Sequence, residues 1–113
     1  MKSSKENTTR DKVETYNAIA PLLEAMYNEF KELSKKKHDG VINKTKIKVV
    51  NRLLVKCKVV LKDEISIDYL DIIDEDEVQQ NSDIVLMLSQ YNAAMNQYYL
   101  MYTDSITRKW KIE

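Results

Sequence analysis

Residues Ile84 to Tyr102 read IVLMLSQYNAAMNQYYLMY, nineteen positions without one charged side chain. They stand in a 113-residue chain in which 32% of residues are Asp, Glu, Lys or Arg. The stretch nearly reaches the roughly 20 apolar residues that a membrane span requires. Its chemistry argues against one: Ser89, Gln90, Asn92, Asn96 and Gln97 would face lipid or demand partners inside the bilayer. The alternative is a helix covered by protein. At 100° per residue, Ile84, Leu88, Tyr91, Met95, Tyr98 and Tyr102 form the centre of a wide apolar face, flanked by Met87, Ala94, Tyr99 and Met101. Within the polar side runs a second, narrow seam of Leu86, Ala93 and Leu100, with Gln90 and Gln97 repeating beside it.

Two readings of this helix stay open. In one it is the central helix of a bundle, covered on most sides. In the other the wide face fills the core, and the Leu86/Ala93/Leu100 seam packs against another chain. Neutral amides suit a buried but polar contact, since they can satisfy their own hydrogen bonds there. Asn81 or Ser82 is the expected cap of this helix, with Asp83 in its first turn.

Working outward, composition limits the fold. The length accommodates one domain with a modest core. One Gly and one Pro disfavour tight strand turns and glycine-rich phosphate loops, and favour long helices. A single cysteine, Cys57, rules out an internal disulfide framework and suits a reducing compartment. The opening MKSSKENTTRDK lacks the apolar core of a secretory signal; residues 1–8 read as a disordered lead-in, and a cytoplasmic location follows by elimination. Abundant Lys, Asn, Ile and Tyr point to AT-rich codons, as in many bacterial or phage genomes.

Net charge is zero, but it is segregated. Ser34 to Lys62 carries ten Lys or Arg against Asp39 alone, and Asp63 to Asp83 carries nine acids and no Lys or Arg. Upstream, Val13, Tyr16, Ile19, Ala20, Leu23, Met26, Tyr27, Phe30 and Leu33 keep helical spacing across Pro21. This predicts a first helix capped by Thr8 or Thr9, kinked or broken at Pro21, and ended by KKKHDG with Gly40 as a left-handed cap. A second helix is expected from about Asn43–Thr45 to Lys62. Ile47, Val50, Leu53, Leu54, Cys57, Val60 and Leu61 form its apolar face; Lys44, Lys48, Arg52, Lys56, Lys58 and Lys62 lie opposite, with Val55 and Val59 among them. The acidic section predicts a connection with one or two short helical turns, anchored by Ile67, Tyr69, Leu70, Ile72 and Ile73.

No residue set specifies a reaction. His38, among lysines at a helix end, suits exposed capping better than general-base work. Cys57 on an apolar face reads as a small core residue. The DIIDEDEV carboxylates lack the Gly and ligand periodicity of a calcium loop and include no His. Lys44, Lys48, Arg52 and Lys56 can contact phosphate or an acidic partner, but three Arg among eighteen basic residues provide poorly for base readout. The expectation is therefore an all-α bundle spanning 9–103, with three main helices, a short acidic helical connection and a mixed-charge tail at 104–113. Its expected function is non-enzymatic: protein–protein interaction, as a self-associating chain or an accessory subunit of a larger assembly, without catalytic, cofactor or metal residues and without a membrane. Leu86, Ala93, Leu100, Gln90 and Gln97 are the expected interface. The alternative is a nucleic-acid-binding accessory protein using the basic helix.

Overall fold

A computed structural model describes residues 7–113. Residues 1–6, most of the expected lead-in, lie outside the described residues. Three helices dominate: α1 (Arg10–Lys36), α2 (Lys44–Val60) and α3 (Asn81–Tyr102), with a five-residue 3-10 turn at Ile65–Tyr69. Among the described residues there is no extended strand, only isolated bridges. The long axis of 44 Å is set by α1, whose 27 residues rise about 40 Å at 1.5 Å each. This helix packs along both others, and α2 and α3 meet each other little.

Local chemistry explains the boundaries. Thr9 caps α1 by accepting from the Lys12 amide at 3.3 Å, and the helix continues through Pro21 as one element. Asn43 caps α2 by accepting from Lys46 N–H at 2.8 Å. The cap of α3 differs from expectation. Gln80, not Asn81 or Ser82, holds it, in a reciprocal capping box with Asp83. Asn81 is drawn elsewhere: its side-chain amide donates to the Lys37 carbonyl at 2.9 Å, tying the α1–α2 loop to the start of α3. That tie also corrects the reading of Gly40. Its φ is not positive, so it is no left-handed cap; a Cβ there would stand 2.8 Å from Asn81 Nδ2 and 3.3 Å from the Lys37 carbonyl. Gly40 is needed for close approach rather than for conformation.

The core joins all three helices. Leu23, Phe30, Leu54, Leu61, Leu88 and Met95 are buried together as expected, as are Ile84, Tyr91, Tyr98 and Tyr102 of the wide α3 face. The acidic connection is less helical than expected: after the 3-10 turn it runs without regular structure to α3. Leu70 and Ile73 anchor it, while Tyr69 and Ile72 face solvent, contrary to the pattern-based assignment. Asn51 decides which residues point inward. Buried on α2, it donates through Nδ2 to the Ile73 carbonyl and accepts from Ile73 N–H, both at 2.9 Å. Each backbone group of Ile73 is thus satisfied inside the molecule.

The C-terminal segment folds back. Asp104 accepts through its carboxylate from the amides of Thr107 (2.7 Å) and Ile106 (3.1 Å), which hold its pKa below the usual range. Arg108 takes the left-handed conformation, φ 63°, that turns the chain. Trp110 then packs edge-on against Tyr16 and Tyr99, with ring centroids 5.0 and 5.4 Å apart. Beyond it, the Thr8 amide donates to the Lys111 carbonyl at 2.8 Å, and Glu113 N–H donates to the Thr8 carbonyl at 3.0 Å. Thr8 is buried and its hydroxyl pairs with that of Tyr98.

Candidate partner-binding surfaces

The residues expected to form the seam are brought together on one outward side of α3. Leu86 is 62% exposed and Leu100 55% exposed, and Gln90, Ala93 and Gln97 are exposed between them. Their position follows from the same periodicity that buries the wide face: the seam lies on the other side of the helix from Leu88 and Met95. A shallow hollow of about 320 Å³ lies at its middle, lined by Gln90, Ala93, Gln97, Ser66 and Tyr69. Tyr69, misread as an anchor, is 76% exposed here and widens the apolar surface; Ile65, in the same 3-10 turn, is exposed as well.

The basic face of α2 is divided. Lys44 Nζ lies 3.6 Å from Asp76 and Lys48 Nζ 3.5 Å from Glu75, so the acidic connection folds against the first half of the helix. Both pairs are well exposed and contribute little stability. Arg52 and Lys56 are exposed and have no ion-pair partner among the described residues. They border a second surface that periodicity did not single out: an open groove of about 630 Å³ between α1 and α2, on which Leu22 and Val49 stand exposed above Phe30, Val50 and Leu53. The missed signal is the width of the apolar pattern on α1. Leu22 and Ala25 extend it beyond what packing against two helices uses. Val55 and Val59 are exposed outside this groove.

The chemistry-bearing side chains fall where packing explains them. Cys57 is fully buried, and burial pushes its thiol up to about 12, far from a nucleophilic thiolate. Tyr91 is raised chiefly by burial, and its hydroxyl donates to the Asp71 carbonyl at 2.8 Å. Tyr102, raised by burial and by its hydrogen bond to Glu64, donates to that carboxylate at 2.9 Å. His38 is exposed in the loop after α1, where its carbonyl accepts from Ser82 N–H. Among the described residues no three His, Cys, Asp or Glu converge as a metal site, and no helix is long and apolar enough to cross a membrane.

The fold and its surfaces thus define a small three-helix bundle with two exposed apolar faces. No family model, curated protein or solved structure matches the chain.

Proposed function

We propose that this protein is a non-enzymatic interaction protein that joins a second copy of itself, or a larger assembly as an accessory subunit, through the outer side of α3. One observation carries the reading: Leu86 and Leu100 are more than half exposed on a helix side that bears no charge from Ile84 to Tyr102, the one carboxylate before it, Asp83, being engaged in the helix cap. A helix face that works in water ordinarily carries Lys or Glu, as the outer sides of α1 and α2 do here. Apolar residues flanked by neutral amides lose little on being covered, because the amides find partners across the contact.

Ala93→Glu tests it. Ala93 is exposed, so the variant keeps the fold and melting temperature of the parent. In an assembly the new carboxylate is buried without a partner, at a cost of about 3–5 kcal/mol. The expected result, by light scattering after size exclusion, is a parent above monomer mass and a variant at monomer mass. For an accessory subunit, the expected result is loss of the partner from a pull-down. A variant with unchanged mass and unchanged partners would show that the seam works exposed, and the reading would fail.

A nucleic-acid reading is the second. It is supported by the unpaired, exposed Arg52 and Lys56, and by the strip of cations to which they belong.

A further inference from the structure

The open groove between α1 and α2 is a surface separate from the α3 seam, and its chemistry selects an occupant. Its floor is apolar, with Phe30 and Leu53 buried and Leu22 57% exposed at the lip. Its α2 rim is cationic, with Lys46, Arg52 and Lys56, while its α1 rim offers the single carboxylate of Glu29. None of the three cations has an ion-pair partner among the described residues. We infer that this groove binds an amphipathic α-helix of another protein, with its apolar stripe seated between α1 and α2 and carboxylates along the flank that meets α2.

Dimensions and charge select this class. From Ile19 to Leu33 the α1 wall spans about 21 Å, and from Lys46 to Lys56 the α2 wall about 15 Å, at 1.5 Å per residue. That length takes three to four helical turns. A trough between two packed helices is the shape into which a third helix sets its side-chain ridge. A small apolar ligand is a poorer fit, because such ligands are largely enclosed by their sites and this trough is open along its length. Nucleic acid is poorer still, since phosphates would lie over an apolar floor. A second copy presenting its α3 seam brings a single carboxylate, Asp83, which already accepts from Gln80 N–H in the helix cap, and so offers no pair to Arg52 and Lys56. The chain's own Glu75 and Asp76 are occupied by Lys48 and Lys44. Carboxylates four residues apart on the incoming helix would match Arg52 and Lys56, which are themselves one turn apart.

Two fluorescein-labelled peptides of fifteen residues serve as probes. Both carry a leucine stripe at i, i+3, i+4 and i+7. One has Glu along one flank; its twin has Lys at the same places. Fluorescence anisotropy at low salt should show the Glu peptide binding the full-length protein at least about tenfold more tightly than the Lys twin, the factor that 1.4 kcal/mol represents. Leu22→Asp should remove binding of both, with an unchanged circular dichroism melt because Leu22 is exposed. Lys46→Glu/Arg52→Glu/Lys56→Glu should invert the preference toward the Lys twin. Equal affinity for both peptides, or no binding of either, overturns the inference. So does a fall in oligomer mass on Leu22→Asp, which would give the groove to a second copy. Because Ala93→Glu lies on a different helix face, its result leaves the peptide titration unaffected, and the two surfaces stand or fall separately.

Discussion

Asn51 is the residue on which the course of the acidic connection turns. It is 8% exposed, on the side of α2 that also carries Val50 and Leu54, and each end of its amide makes a hydrogen bond to the backbone of Ile73. A polar side chain at such a position is stable only because both of its ends are matched. Asn51→Ala removes the matching donor and acceptor and leaves the amide and carbonyl of Ile73 buried without partners. Each orphaned group costs about 1–3 kcal/mol, so the urea midpoint should fall substantially. Ile73 amide exchange should also accelerate relative to amides in the middle of α1. An unaltered midpoint with Ile73 still protected would mean that the connection is held by Leu70 and Ile73 packing alone. Helical spacing did not single out Asn51, and it could not point to the partner, because a hydrogen bond to a chain segment 22 residues away has no local periodicity.

The helices differ in how far their faces were legible. In α3 the inward face emerged directly from spacing, because large apolar side chains recur at the helical period and small or amide residues fill the rest. In α2 the core stripe from Ile47 to Leu61 emerged the same way. Leu54 and Leu88 are fully buried at the centre of these two faces. Leu54→Ala or Leu88→Ala should therefore cost about 2–5 kcal/mol, read as a lower denaturation midpoint with little change in slope. Unchanged midpoints for both would contradict the packing of α2 and α3 around α1. Less regular segments were poorly legible. Tyr69 and Ile72 have the composition of anchors, but the 3-10 turn and the extended run after it lack a fixed face, so of the expected anchors Leu70 and Ile73 are buried and these two are not. The cap of α3 was displaced by one residue because Asn81 has a long-range use. The tail was invisible as structure: the turn that Asp104 closes has no apolar periodicity, and Trp110 finds its aromatic contacts only where α1 and α3 bring Tyr16 and Tyr99 side by side. The groove was missed for a related reason. Leu22 and Val49 lie next to core positions, and only the arrangement of the helices leaves them uncovered.

At the scale of the whole molecule, the two oppositely charged stretches lie against each other over part of their length. Lys44 meets Asp76, Lys48 meets Glu75, and Lys12 of α1 meets Asp63 at 2.6 Å. The two exposed pairs of α2 add at most about 1 kcal/mol each, so their consequence is electrostatic rather than structural. They reduce the field of the basic helix where a polyanion would approach it. A face of six free cations neutralising six phosphates would give a salt slope of about −5; with Lys44 and Lys48 occupied, four remain and the slope falls to about −4. The apolar groove beside Arg52 and Lys56 weakens phosphate contact further, because desolvated apolar surface adds nothing to a phosphate backbone. The expected outcome is therefore no mobility shift of duplex DNA or structured RNA by the parent at about 50 mM salt, the low end of the range where such contacts are strongest. Glu75→Gln/Asp76→Asn, which frees both lysines, should also fail to shift either. A salt-dependent shift by the parent that steepens by about one to two in slope on freeing the lysines, and disappears in Lys48→Glu/Arg52→Glu/Lys56→Glu, would move the function from protein partners to nucleic acid. The acidic connection would then be an intramolecular competitor for the site. Absence of any shift in the unmasked variant leaves the cations of α2 to a protein surface, where two or three charges at the edge of an apolar groove set orientation and encounter rate more than affinity.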